Sequence, residues 1–257
     1  NGTRLTPEQI VSACRDVIEK RSDIRQVKRF LISAAFAFLI ILAAIATGQN
    51  WRPLHWFGWD TASLCLQSRM FGYHATLLVF TLAVLAVVAW RRPWQFGFMP
   101  PAGRDWWFIM PFAVLCGLTG DMLVPGTALF AVDPTMAWVF ALVLIPLSLE
   151  LLFRSLVHGL MARLATIQDC ESRWFFSGPT IGSALLYAIV VSLQMIKMSA
   201  IPLLDGLTSG ILVKYFAVAL IFGLGAGMIR ERSHSILPAW LFHAVAVVTS
   251  MFIIGLI

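Results

Sequence analysis

The sequence predicts an all-α polytopic membrane protein with about seven transmembrane helices, and three observations carry that prediction. Of 257 residues, 59% are hydrophobic and only 12% charged, with a mean hydropathy of +0.83. A water-soluble domain needs about 25% charged residues to cover its surface. The apolar residues also gather in runs of roughly 18–25, long enough to cross a hydrocarbon layer of about 30 Å. Finally, the positive charges fall on one side of those runs. Disordered, collagen-like and ordinary globular classes are excluded, and the alternating pattern of barrel strands is absent.

Residues 1–29 read as an amphipathic cytoplasmic helix. Thr6 is placed to cap it, Pro7 suits its first position, and Gln9 completes a weak capping box. Ile10, Val11, Cys14, Val17 and Ile18 recur at helical spacing, opposite Arg15, Asp16, Glu19 and Lys20. Such a face lies on lipid or on the protein's own loops, or docks a partner.

Seven apolar segments follow, at 30–48, 72–90, 107–125, 135–163, 176–198, 211–229 and 236–257. The fourth exceeds what one crossing needs and is expected to protrude or tilt. Seven crossings with the amino terminus inside put the carboxyl terminus outside. The basic residues agree. Seven precede the first span, Arg91, Arg92 and Arg104 follow the second, Arg163 and Arg173 the fourth, and Arg230 and Arg232 the sixth. That places fourteen of nineteen on the cytoplasmic side, which also accounts for the net charge of +6 without invoking nucleic acid.

The outer loop 49–71 carries Trp51, Trp56 and Trp59, and Trp106 and Trp107 flank the third span. Interfacial anchoring accounts for these aromatics. Cys14, Cys65, Cys116 and Cys170 are scattered without CxxC spacing, so neither a disulfide framework nor a zinc site is expected. No signal peptide is evident in the opening polar stretch.

Ionisable residues at membrane depth are costly and ask for a partner or a purpose. The fourth segment holds Glu150, Arg154 and His158 at spacings of four, which puts them on one helical face and lets Glu150 pair with Arg154. His243 in the seventh segment and Asp121 in the third are the other candidates. HExxH, a second histidine one turn from another, and a cysteine cluster are all missing, so no metal and no cofactor are expected.

The stretch Glu150-Leu-Leu-Phe-Arg154-Ser-Leu resembles the first signature of the CPBP (Abi) intramembrane proteases, which include the type II CAAX prenyl endopeptidases and carry EExxxR, commonly EELLFRG. A second block agrees. Gly223-Leu-Gly-Ala-Gly-Met-Ile-Arg-Glu-Arg-Ser-His-Ser-Ile-Leu-Pro-Ala-Trp-Leu-Phe-His243 is similar to the family's glycine-rich helix, its short turn and the histidine that opens its third motif. The resemblance covers roughly residues 135–257. It implies an organisation of 1–29 as a cytoplasmic segment, 30–134 as three accessory spans, and 135–257 as a CPBP-like core of the last four helices.

The resemblance also implies glutamate-based peptide hydrolysis within the membrane. The first Glu of EE and a middle-motif histidine activate water, and the third-motif His and Asn stabilise the oxyanion. This chain departs at the positions that matter. The first Glu is Leu149, the middle-motif histidine is Val191, and the third-motif Asn or Asp is Val247; Glu150, Arg154 and His243 remain. Leu and Val cannot exchange protons. For Glu150 to act as the base it would have to leave Arg154 and face about 100° around the helix from the usual carboxylate. Gln194 and His158 could donate hydrogen bonds, but neither occupies a motif position.

The expected function is therefore a catalytically degenerate member, a pseudoprotease that serves as scaffold or regulator. Its partner would be another membrane protein or a lipidated peptide. Small residues on the sixth span, Gly223, Gly225 and Gly227, offer close approach to a partner helix. Glu150 and Arg154 are expected to tie helices together, with His243 hydrogen-bonded to them. The alternatives are an active endopeptidase using Glu150 and His243, and a transporter or channel subunit. The last predicts a polar path through several helices, for which intramembrane polar residues are too few. The expected location is a bacterial inner membrane.

Overall fold

The computed structural model describes residues 7–48, 65–102, 105–119, 138–162, 177–198 and 209–256, all helices and short connections. The first helix, α1 (Pro7–Gly48), is continuous for 42 residues, about 63 Å at 1.5 Å per residue. Between Pro7 and Gly48 there is no glycine or proline to interrupt it. The amphipathic segment and the first crossing are thus one helix, of which Val27–Thr47 is the apolar part. The cap residue expected at Thr6 lies outside the described residues.

Helix α2 (Cys65–Val88) leads into a 3-10 turn, Pro93–Phe96. Proline opens that turn with its fixed φ, and Gly97 closes it at φ 85°, a left-handed conformation that glycine adopts without a Cβ clash. A second 3-10 turn, Asp105–Ile109, runs into α3 (Met110–Leu118).

The fourth helix, α4, covers residues 140–162 in four consecutive parts. A π turn (Phe140–Leu144), an α segment (Ile145–Glu150), a second π turn (Leu151–Val157) and an α segment (His158–Ala162) succeed one another. Widened turns of this kind recur at functional sites. Helices α5 (Gly178–Met198), α6 (Ser209–Ser233) and α7 (Ile236–Leu256) complete the bundle. Only His234 and Ser235 separate α6 from α7, so the two must run back along each other. His234 makes the reversal at φ 53°.

Among the described residues, five helices are long and apolar enough to cross a membrane: Val27–Thr47, Phe71–Val88, Leu142–Ala162, Leu212–Ser233 and Ile236–Ile253. The expected third and fifth crossings are apolar but shorter, at Trp106–Leu118 and Gly178–Leu193. The protein is an integral membrane protein of all-α polytopic class. Leu39, Val87, Leu115, Val213 and Phe252 are exposed apolar side chains on five different helices, the surface a lipid-facing bundle needs.

Helix α4 is the inner helix. Its crossing window is 78% buried, against 28–56% for the other four, and α1, α2, α5 and α7 all pack on it. The charged triplet read from the sequence therefore sits on the element with the least access to solvent or lipid.

Candidate functional site

Glu150, Arg154 and His243 come together at the middle of the bundle. Glu150 ends the α segment of α4, and Arg154 lies one turn on, inside the second π turn. His243 of α7 donates from Nδ1 to Glu150 Oε1 at 2.8 Å, while Glu150 Oε2 faces Arg154 Nε at 3.6 Å. All three are within 1% of complete burial. A lone carboxylate there would be prohibitively desolvated, and its two partners supply the compensating charge and hydrogen bond.

Aromatic rings wall the group. The Arg154 guanidinium carbon lies 5.1 Å from the centroid of the Tyr187 ring, a cation–π arrangement that is strengthened by burial. Tyr187 meets Phe153 edge-on at 5.4 Å, and Phe222 of α6 meets the His243 ring at 4.8 Å. Arg154 makes no hydrogen bond through Nε, Nη1 or Nη2 among the described residues, so the ion pair and the ring face are what hold it.

The aliphatic positions sit in the same core. Leu149 and Val247 are buried, and Val191, one turn beyond Tyr187 on α5, is half-buried against it. In place of a wet cavity edge these positions present hydrocarbon.

The three glycines of α6 are buried, and what they approach belongs to this chain. A Cβ at Gly223 would stand 3.1 Å from Ala184 Cα and 3.3 Å from Arg154 Nη2. At Gly225 it would meet Phe242 at 3.1 Å, and at Gly227 it would meet Thr180 at 2.8 Å. The close approach expected of a partner helix is made by α5 and α7 instead.

His158 does not join the central group as its spacing suggested. Its Nε2 lies 3.7 Å from Glu231 Oε1 of α6, at the end of the bundle that carries Arg91, Arg92 and Arg230. Ser177, at the start of α5, donates to the same Glu231 oxygen. Arg230 donates from Nη2 to the Gln95 carbonyl at 3.0 Å, and Ser155 donates to the Phe96 carbonyl. Asp121 and the Trp51, Trp56 and Trp59 loop lie outside the described residues, as does the side chain of Gln194. Among the described residues no three His, Cys, Asp or Glu side chains are grouped to hold a metal ion.

One residue near the centre escaped the sequence reading. His74 of α2 is buried, with Nδ1 2.9 Å from Ser148 Oγ of α4. The signal was available, since His74 is an ionisable side chain inside an apolar run, the criterion that had singled out His158 and His243.

Fold and site together define a polytopic membrane protein with a buried carboxylate held between an imidazole and a guanidinium. Residues 131–249 match the family model of the type II CAAX prenyl endopeptidase Rce1-like proteins. That segment, which contains Glu150, Arg154 and His243, is an Rce1-like domain consistent with the CPBP family. No curated protein and no solved structure matches the chain.

Proposed function

We propose that this protein is a catalytically silent CAAX protease-like membrane protein that works by binding, as a scaffold or regulator of another membrane protein or a lipidated peptide. The observation that supports this reading is the state of Glu150. Oε1 accepts a hydrogen bond from His243 at 2.8 Å, Oε2 makes no hydrogen bond among the described residues and faces the Arg154 guanidinium at 3.6 Å, and the side chain is buried. A general base must reach the water it deprotonates. The aliphatic Leu149, Val191 and Val247 point the same way, because none can move a proton. The proposed setting is a bacterial inner membrane, with the amino terminus cytoplasmic and the carboxyl terminus on the outer side.

The test uses the full chain in nanodiscs with a prenylated peptide and with a transmembrane peptide of the same carboxyl-terminal sequence. Saturable binding with both peptides recovered intact is expected. Cleavage by the native chain that disappears in Glu150→Gln would overturn the reading.

That result would support the second reading, an endopeptidase using Glu150 and His243. The observation in its favour is the 2.8 Å carboxylate–imidazole contact, a pairing that can relay a proton.

A further inference from the structure

The segment 89–102, which follows α2, is seated on one side and exposed on the other. On the inner side Arg230 of α6 donates to the Gln95 carbonyl at 3.0 Å, and Ser155 of α4 donates to the Phe96 carbonyl. The Ile236 N–H of α7 donates to the Gly97 carbonyl at 3.0 Å, and the Ala102 N–H donates to the Ser233 carbonyl at 2.8 Å. The Phe96 ring is fully buried, so close to α4 that a Cβ at Gly159 would stand 2.5 Å from it. On the outer side Trp90 is 83% exposed and Trp94 53%, with Arg91, Arg92, Phe98 and Met99 exposed beside them. Backbone held at so many points makes these side chains a fixed surface rather than the fringe of a loose loop.

Helix α2 sets the depth of this surface. Its crossing run ends at Val88, and Trp90, Arg91, Arg92 and Trp94 follow at once, where hydrocarbon gives way to headgroups. The surroundings are basic. No Asp or Glu occurs from residue 61 to residue 104. Among the described side chains the carboxylates are Glu150, in the bundle centre, and Glu231, which accepts from Ser177 and faces His158. The exposed Lys28 of α1 stands at the same end, because Phe30 and Met161 of α4 both abut Gly182. Arg91 and Arg92 make no ion pair among the described residues.

We propose that Trp90, Arg91, Arg92 and Trp94 form a docking surface for the headgroup of an anionic phospholipid at the Arg230 end of the bundle. The two arginines present planar N–H forks that match phosphate oxygens, and the indole rings favour the glycerol level, which fixes the depth at which the forks work. Charge complementarity decides the occupant. An apolar partner helix would strip water from two unpaired guanidinium groups, whereas lipid phosphates pair with them at the membrane surface where they already stand. The segment lies outside the Rce1-like match at 131–249, yet its hydrogen bonds to Ser155, Arg230 and Ile236 tie the surface to that domain. The inference goes beyond the binding of a membrane protein or lipidated peptide, since its partner is the bilayer itself.

The test uses the full chain in mild detergent, exchanged with an equal mixture of phosphatidylglycerol and phosphatidylcholine. The lipid that stays bound is extracted and counted by mass spectrometry. The native chain is expected to retain phosphatidylglycerol over phosphatidylcholine. Each basic residue at an anionic surface contributes roughly fivefold, so Arg91→Gln combined with Arg92→Gln should lower that preference by about tenfold or more. Lys214→Gln, near the opposite end of α6, should leave it in place. Equal retention of the two lipids by the native chain overturns the inference, and so does a preference that the double variant keeps in full. A second measurement needs no variant: the native preference should fall as salt is raised from about 0.05 to 0.5 M, because screening weakens exposed charge pairs. A preference indifferent to salt overturns the inference as well. No peptide is bound or cleaved in either measurement, so failure here is distinct from failure of the binding reading.

Discussion

Glu150 Oε1 lies 2.8 Å from Nδ1 of His243, and this contact joins the inner helix α4 to the last helix α7 across 93 residues. Arg154 completes the group at 3.6 Å from the other oxygen. Breaking a buried pair strands one charge, whereas replacing the whole pair removes the cost of burying both. Glu150→Gln is therefore expected to lower stability by about 3–5 kcal/mol, because Arg154 is left without its counter-charge. Glu150→Leu combined with Arg154→Met should be neutral or more stable. Equilibrium unfolding in mild detergent reads both. A Glu150→Gln protein as stable as the native chain would show that the pair does not tie the bundle together.

The α6 glycines give a graded prediction. Gly227→Ala puts a Cβ 2.8 Å from Thr180 Cγ2, and Gly223→Ala puts one 3.1 Å from the Ala184 backbone, which cannot step aside as a side chain can. Each should cost about 1–3 kcal/mol by overpacking. At Gly178 an added Cβ meets nothing within 4 Å, so Gly178→Ala should be silent. Thermal unfolding of the three variants tests the ranking. Equal effects at all three positions would mean that α5 and α6 do not pack as closely as described.

Much of this arrangement was legible in the sequence because hydrocarbon imposes a coarse rule. Apolar runs of crossing length are read off directly, and Glu150, Arg154 and His243 stood out because charge inside such a run is rare. What was not legible is which faces meet. Gly223, Gly225 and Gly227 read as an open stripe, since small residues permit close approach without saying whose helix approaches. The spacing of Glu150, Arg154 and His158 implied one face, yet His158 turns to Glu231 of α6, a choice that depends on where α6 ends. His74 escaped for a related reason. Its partner Ser148 lies on α4, which pattern alone does not bring to α2.

The segment after α2 is bound to the Rce1-like domain at the end of the bundle that carries Arg230. Arg230 donates to the Gln95 carbonyl, Ser155 donates to the Phe96 carbonyl, and Ile236 N donates to the Gly97 carbonyl at 3.0 Å. Gly97 is the critical position. Its φ of 85° disfavours any side chain, and a Cβ there would stand 2.6 Å from Arg230 Nε. Gly97→Ala is expected to lower stability by about 1–3 kcal/mol through this strain and displacement together. Limited proteolysis should then cut between α2 and α3 where the native chain resists. Unchanged resistance in Gly97→Ala would show that this segment is held by something other than its fit against Arg230.

The last prediction concerns the aliphatic positions. Leu149 is 5% exposed and directly precedes Glu150, so Leu149→Glu buries a second carboxylate beside a single arginine. Alone, this should destabilise the protein and yield no cleavage, because desolvation and a neighbouring like charge favour its neutral form and no added imidazole prepares a water. Adding Val191→His places a ring one turn from Tyr187 on α5, at the position where the resemblance to CPBP proteases expects one. If the fold has kept the geometry and lost only the groups, the double variant should cleave a prenylated peptide that the native chain leaves intact. If the double variant folds and stays silent, the loss lies in the closed packing around Tyr187, Phe222 and Val247, and the centre has been remodelled rather than merely stripped of its acid and base.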